Sequence, residues 1–259
     1  MVTLSELYVK MNLLNEYNYF TIIDFINGYR SPCTVLFFLR RLFTLVKTPT
    51  FTKQYLIRNE VLNAVTHGIG VLLSIAGLVL LLMKGSQSGS TIELASYIVY
   101  GSSLILLYLC STLYHSLSFT RVRRLFKILD HSSIYVLIAG TYTPYCLVTI
   151  GGTLGWIMFS IIWVIAVSGI VFKSVAVDKF PNISTLVYIG MGLICMVTFK
   201  PLYEGLGTNG LYLLVGGGAA YIVGTIFYSL RNVKYMHVVW HLFVLLGTGL
   251  MFLSILFYV

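Results

Sequence analysis

Long apolar runs without charged residues alternate with short polar connections over most of this chain. A membrane crossing needs about 20 helical residues, because about 30 Å of hydrocarbon is spanned at 1.5 Å per residue. Seven runs approach or exceed that length, at 61–83, 94–117, 132–150, 153–172, 183–199, 211–228 and 237–259. They are too long for barrel strands and lack a period-two alternation, so helices must satisfy their backbone hydrogen bonds in lipid. The pattern predicts an all-α, seven-transmembrane helix bundle at 56–259.

The first 55 residues form a different kind of segment, which we expect to lie in the cytoplasm. The stretch CTVLFFLRRLFTLV at 33–46 is apolar but interrupted by Arg40 and Arg41, so it is too short and too charged to cross comfortably. An interfacial amphipathic helix or a weakly ordered tail both fit this stretch. The first twenty residues lack the basic head and clean apolar stretch of a cleavable signal peptide.

Composition agrees with a multi-pass membrane protein, since 58% of the 259 residues are hydrophobic and only 10% are charged. The net charge of +9 is distributed unevenly. Fifteen of the 17 lysines and arginines lie before the first run or in alternate connections, and the other connections hold only Lys84 and Lys200. The positive-inside rule therefore predicts a cytoplasmic N-terminus and an outside C-terminus. The basic residues indicate topology and contacts with anionic membrane lipid more than nucleic-acid binding.

All five histidines of the chain fall near the ends of the runs that this topology assigns to the cytoplasmic side. One lies near the start of helix 1, one near the end of helix 2, one at the start of helix 3 and two at the start of helix 7. They are His67, His115, His131, His237 and His241.

His237 and His241 are spaced to share one metal ion. Residues four apart on a helix lie on one face with Cβ atoms about 5–6 Å apart. Zinc takes nitrogen ligands in tetrahedral geometry, and its catalytic sites commonly have three protein ligands with a fourth position open. His115 lies at a matching depth on helix 2 and is the predicted third ligand. The alternative is that each ring lies separately at the level of the lipid headgroups.

Asp130 and Ser111 are the predicted catalytic side chains. Asp130 opens helix 3, where its carboxylate can hydrogen-bond an ion-activated water or a ligand histidine, or can instead cap the helix. His131 points about 100° away around the helix, so it and Asp130 should not both face one ion. Ser111 lies one turn before His115 on the same face and can touch the same water or bond its own helix backbone.

Glu60, Asn63 and His67 stand at i, i+3 and i+7 and form one polar stripe that enters helix 1. Residues with this spacing share a helix face. The stripe suggests support for the metal ligands, or a separate buried polar contact, more than direct ligation.

Other chemistries fit the sequence less well than zinc. A retinal protein requires a lysine within a late helix, and none of the seven runs contains lysine. Membrane di-iron oxygenases require many more than five histidines. Bis-histidine haem requires ligands on opposite sides of a ring, which two histidines on one helix face cannot provide.

Four motifs together resemble the bacterial haemolysin III family, which is related to the progestin and adipoQ receptors, and this resemblance implies a place in the bacterial plasma membrane. The motifs are ExxNxxxH at 60–67, SxxxH at 111–115, DHSSIYVLIAGTYTP at 130–144 and HVVWH at 237–241. The resemblance covers about residues 55–259 and leaves the first fifty or so unexplained. It implies seven helices, zinc held by His115, His237 and His241, and Asp130 nearby. The adiponectin-receptor branch is similar to ceramide amide hydrolases, which implies a lipid amide as substrate.

These observations lead to two hypotheses of different classes. The first is a zinc-dependent hydrolase that cleaves a lipid amide or ester from the cytoplasmic leaflet, with Asp130 and Ser111 positioning the water. The second is a noncatalytic protein, receptor-like or membrane-perturbing, in which zinc only ties helices 2 and 7 together. Structural zinc sites normally have four protein ligands, so three histidines favour catalysis modestly.

Overall fold

All seven apolar runs lie in helical structure in the computed structural model, which describes residues 51–177, 181–230 and 232–259. The helices are α1 (Lys53–Ser88), α2 (Thr91–Ser116), α3 (Arg123–Pro144), α4 (Gly152–Ala176), α5 (Pro181–Leu193), α6 (Phe199–Ser229) and α7 (Met236–Tyr258). No strand occurs among these described residues. The segment 33–46, for which an interfacial helix is predicted, lies outside them.

Six helical stretches in the described part of the chain are long and apolar enough to cross a membrane. One of them, Ile183–Ser229, is 47 residues long and contains both of the runs predicted at 183–199 and 211–228. A straight helix of that length would measure about 70 Å, roughly twice the hydrocarbon thickness. The stretch is divided at Gly207, whose backbone is non-helical with φ 64° and ψ −178°. Glycine adopts positive φ without the steric penalty that other residues incur.

Local side chains and glycine determine where the first two helices meet. The Thr52 hydroxyl accepts a hydrogen bond from the Tyr55 N–H at 3.2 Å and caps the start of α1. Helix α1 ends at Gly89, which has a left-handed conformation with φ 69°. The Ser90 hydroxyl then accepts from the Glu93 N–H at 3.3 Å and caps α2. This tight reversal packs α2 directly against α1.

Helix α3 begins earlier than the sequence predicts, and this corrects one interpretation of Asp130. The helix starts at Arg123, so Asp130 is in its third turn and cannot act as the N-cap. In the intervening residues RLFKIL each basic residue is followed by two apolar ones, and arginine, lysine and leucine all favour helix. At its other end α3 continues past Pro144 into a π-helical turn, Tyr145–Ile150.

The core lies between α1, α2, α3, α6 and α7, and large tyrosines fill much of it. Tyr97, Tyr100 and Tyr108 of α2 are almost completely buried. Helix α6 packs closely along α7, where Gly217 faces the carbonyl oxygen of Gly247 and the side chain of Met251.

Replacing Gly217 by alanine should loosen this helix contact. A Cβ there would lie 2.6 Å from Met251 Cγ and 3.0 Å from the Gly247 oxygen, and overpacking of this kind costs about 1–3 kcal/mol. The neighbouring Gly218 is the matched control, because a Cβ at that position has no neighbour within 4 Å. Thermal unfolding of the two variants in detergent should give the lower midpoint for Gly217→Ala. Equal midpoints would contradict the close packing.

Candidate metal centre

Three histidine side chains converge at one end of the bundle. His115 lies in the last turn of α2, and His237 and His241 lie in the first turns of α7. One ring nitrogen from each lies within 4.8 Å of the others. The ring centroids of His237 and His241 are 4.7 Å apart, and that of His115 is 5.1 Å and 5.0 Å from them. We call these three residues the histidine triad.

A carboxylate orients the first ring of the triad. His115 Nδ1 lies 2.7 Å from Glu60 Oε2. An ionised carboxylate only accepts hydrogen bonds, so Nδ1 carries the proton and the lone pair is on Nε2. That Nε2 is buried and has no hydrogen-bond partner among the described residues. Metal-binding histidines usually donate the N–H of the ring nitrogen that does not bind the metal to a carboxylate or a carbonyl group.

The backbone of α1 orients His241 in the same way. His241 Nδ1 lies 3.3 Å from the Asn63 carbonyl oxygen and 3.3 Å from Thr66 Oγ1. The carbonyl only accepts, so Nδ1 is again the donor and Nε2 keeps its lone pair. Thr66 was not predicted, although it stands three residues after Asn63 and therefore continues the polar stripe on α1.

His67 packs on the triad without joining it. Its ring stacks on His241 with centroids 3.5 Å apart and an interplanar angle of 12°. Neither His67 nitrogen and neither polar atom of the Asn63 side-chain amide has a hydrogen-bond partner in the described part of the chain. The contact between Asn63 and His241 is therefore made by the backbone carbonyl group of Asn63 and not by its side-chain amide.

The triad fits zinc by its donors. It offers three imidazole nitrogens, and two of the rings are already fixed with Nε2 available, which is the donor set of many catalytic zinc sites. Zinc ligands at about 2.0–2.1 Å in tetrahedral array lie about 3.4 Å from one another. Small rotations of side chains that now lie within 4.8 Å would bring them to that spacing.

The predicted catalytic side chains lie on the wall of the same cavity as the triad. Ser111 is buried, and both Ser111 and Asp130 line this cavity. Asp130 Oδ2 lies 3.5 Å from His131 Nδ1. His131 Nδ1 also lies 2.9 Å from the Lys127 carbonyl oxygen, and this histidine is not part of the triad.

The cavity has a volume of about 840 Å³ and extends from the triad deep into the bundle. Away from the histidines its walls are mainly aliphatic and aromatic, with Tyr145, Leu211 and Leu214 among them. Lys173, which the sequence places in the connection after the run at 153–172, also lines it. Helix α4 continues to Ala176 and buries this lysine at 1% exposure, because a long side chain can extend beyond the apolar run that hydropathy detects.

Replacing Glu60 by glutamine should weaken zinc binding by about 10–100-fold, the usual effect of losing a hydrogen-bonded partner of a metal ligand. Glutamine keeps the size of the side chain but removes the charge that fixes the His115 ring. Glu93→Gln is the matched control, since Glu93 accepts from the Tyr97 hydroxyl at 3.0 Å at the other end of α2. Competition with a fluorescent zinc chelator measures both affinities. Equal affinities would remove Glu60 from the site.

The chain is similar to known proteins over most of its described residues, including all three residues of the triad. The profile of the family described as Haemolysin-III related matches residues 55–252. Hemolysin-3 of Bacillus cereus is 49% identical over 203 residues, which are 78% of this chain and 93% of the relative. The Hemolysin-3 homolog of Bacillus subtilis (strain 168) is 47% identical over 205 residues, 79% and 96% of the two chains. The human Monocyte to macrophage differentiation factor is 28% identical over 188 residues, 70% and 76% of the two chains.

Proposed function

Because the chain belongs to the haemolysin III family and is a multi-pass cell-membrane protein, we propose that it is a zinc-dependent hydrolase of a membrane lipid amide or ester. The observation that carries this proposal is the histidine triad at the end of a large apolar cavity. A metal donor set beside a space suited to acyl chains is what hydrolysis of a lipid requires.

The proposal includes seven membrane crossings with the triad on the cytoplasmic side. Two crossings within Ile183–Ser229, separated at Gly207, fit its length of 47 residues. An odd number of crossings also agrees with the strong bias of lysine and arginine to alternate connections. The substrate would therefore enter from the cytoplasmic leaflet.

Zinc is the ion that we propose for the triad. Ring nitrogens of the triad, His115, His237 and His241, would hold it. Glu60 would keep the His115 ring in place, and the backbone carbonyl group of Asn63 would keep the His241 ring in place. When bound, it would polarise the substrate carbonyl group and make water nucleophilic near neutral pH.

Asp130 is the proposed general base and acid of the reaction. A carboxylate on the cavity wall can take a proton from the attacking water and deliver it to the leaving amine or alcohol. The hydroxyl of Ser111, one turn before His115, can hydrogen-bond the same water or the substrate carbonyl group. Glu60 is not a second base in this scheme, because its carboxylate is engaged by His115.

The cavity supports a substrate with a long hydrocarbon chain. Leu211, Leu214 and Val244 give it an apolar wall beyond the triad. Sites for hydrophobic ligands are typically concave, mainly apolar and equipped with a few polar groups that fix orientation. A fatty-acyl chain seated here would bring its carbonyl carbon to the polar end, next to the histidines.

The noncatalytic alternative has one observation in its favour, which is a fourth histidine beside the triad. His67 would complete a four-histidine structural site if its ring turned toward the ion. Its nitrogens are not in the group that lies within 4.8 Å, and its ring stacks on that of His241. The present arrangement therefore favours an open fourth position and catalysis.

Hydrolysis of a defined lipid panel tests the proposal. Purified protein in lipid nanodiscs is incubated with N-acyl lipids and acyl esters, and released fatty acid is quantified by mass spectrometry. We expect release that stops when a chelator removes the metal and returns when zinc is restored. If zinc-loaded protein releases no fatty acid from any member of the panel, the hydrolase is rejected in favour of the noncatalytic alternative.

A further inference from the structure

Several buried polar side chains in the core, beyond the triad, lack hydrogen-bond partners among the described residues. The hydroxyl groups of Tyr100 and Tyr145 and Oγ1 of Thr149 are buried and have no hydrogen-bond partner within residues 51–177, 181–230 and 232–259. Both nitrogens of His67, next to the triad, are in the same situation. An unpaired polar group in a membrane interior costs about several kcal/mol, so three hydroxyl groups and a histidine require an explanation.

Four tyrosines from three helical elements pack in one region of the core. Tyr108, Tyr145 and Tyr221 all lie close enough to Tyr100 to interact with it electrostatically. Tyr221 interacts in the same way with Tyr108 and Tyr145. We call these four residues the tyrosine cluster. They come from α2, α6 and the π-helical turn after α3.

The tyrosine cluster reaches the triad through Tyr108. The Tyr108 hydroxyl group is hydrogen-bonded to Thr248 Oγ1 on α7. The edge of its ring meets His67 with centroids 5.0 Å apart and an interplanar angle of 86°. His67 in turn stacks on His241 of the triad.

The cluster also reaches the opposite end of the bundle. The Ser254 hydroxyl group lies near Tyr145, without the geometry of a hydrogen bond to it, and donates to the Gly210 carbonyl oxygen at 2.9 Å. Thr149 stands one helical turn beyond Tyr145, close to the end of the π-helical turn at Ile150. Buried polar groups therefore occur both beside the triad and at the end of α3 that is farthest from Asp130.

Water is the ligand that satisfies this arrangement. Buried water typically makes two to four hydrogen bonds to polar groups that otherwise lack partners, and the cluster holds two hydroxyl groups of this kind, those of Tyr100 and Tyr145. Tyr145 and Tyr221 also line the cavity, so water has a way in. Phenylalanine would fill the same space without any unpaired hydroxyl group, so the tyrosines need a polar ligand to be stable there.

We infer that a file of ordered water molecules passes through the tyrosine cluster and joins the triad to the opposite end of the bundle. Each tyrosine hydroxyl group both donates and accepts, so the file can also carry protons. Its role as a source of water for hydrolysis rests on the proposed function. The file itself does not, because it follows from the buried hydroxyl groups alone.

Radiolytic hydroxyl-radical labelling of the full chain in nanodiscs tests the inference. Radicals form from water at the site of irradiation, so a buried tyrosine beside ordered water is modified and a dry one is not. Tyr135 is the matched control, because it is 1% exposed compared with 0% for Tyr100, lies outside the cavity lining, packs its ring on that of Tyr188, and is not among the tyrosines whose buried hydroxyl groups lack a partner. We expect Tyr100 and Tyr145 to be labelled at least about tenfold faster than Tyr135. Equal rates would overturn the inference.

A double variant, Tyr100→Phe with Tyr145→Phe, separates water in the cluster from general solvent access. Labelling of Tyr108 should fall in the variant, while labelling of Tyr135 and the zinc content should stay unchanged. Unchanged labelling of Tyr108 would count against a continuous file. Fast labelling of wild-type Tyr100 without any lipid turnover would keep the file and reject the hydrolase, and turnover with slow labelling would do the reverse.

Discussion

The His237→Ala variant should lose its zinc while the bundle stays folded. Only His115 and His241 would remain of the triad, and zinc sites rarely hold with two protein ligands. His237 is also the least buried member of the triad, so its removal should disturb packing less than removal of the other two. Elemental analysis of protein purified by gel filtration measures the loss, and circular dichroism verifies the helices.

His131→Ala is the matched control for this experiment. His131 is a histidine at the same end of the bundle, with its Nδ1 hydrogen-bonded to the Lys127 carbonyl oxygen, and it does not belong to the triad. This variant should keep a full complement of zinc. A His237→Ala protein with as much zinc as the wild type would show that the histidines do not share an ion, and the proposed hydrolase would then have no metal.

Hydropathy located the membrane helices but not their ends. The run predicted at 61–83 lies within α1, which is 36 residues long and starts at Lys53. Helix α3 likewise starts at Arg123, ahead of the run at 132–150. A hydropathy run reports the part of a helix that lies in hydrocarbon, whereas lysine and arginine can continue the helix into the headgroup region. This limit explains both the misplaced start of α3 at Asp130 and the assignment of Lys173 to a connection when it lies in α4.

The triad could be predicted because it depends on quantities that a sequence contains. The spacing of His237 and His241 fixes their common helix face, and topology gives His115 a similar depth. The contact between Glu60 and His115 is different, because it depends on how α1 is rotated about its axis relative to α2. The stripe on α1 indicated a polar face. It did not indicate that Asn63 contacts His241 through its backbone carbonyl group or that the His67 ring stacks on His241.

The tyrosine cluster could not be predicted from the spacing of residues in the sequence. Tyr100 and Tyr108 are eight residues apart on α2, and Tyr145 and Tyr221 belong to distant parts of the chain. A tyrosine in an apolar run is ordinary, since its ring suits a core and its hydroxyl group often finds a partner. Only the packed structure indicates that these tyrosines pack together and that two of their hydroxyl groups lack partners in the described chain.

The Asp130→Asn variant should keep its zinc and lose its lipid turnover. Asparagine has the size of aspartate but cannot take a proton from water, and loss of a general base or acid lowers the rate by about 10²–10⁴-fold. Zinc should stay bound because Asp130 is not part of the triad, and its Oδ2 lies beside His131 Nδ1, at 3.5 Å. Turnover of the best lipid substrate and zinc content are measured on the same preparation.

Glu204→Gln is the control for the removal of a negative charge, because Glu204 lies exposed on α6 and only faces Lys200 at 3.9 Å. It should hydrolyse lipid at the wild-type rate. If Asp130→Asn retains both zinc and full turnover, Asp130 does not transfer the proton, and His131 becomes the next residue to replace. If Asp130→Asn loses zinc as well, Asp130 supports the metal rather than the chemistry, and the scheme of a positioned water loses its base.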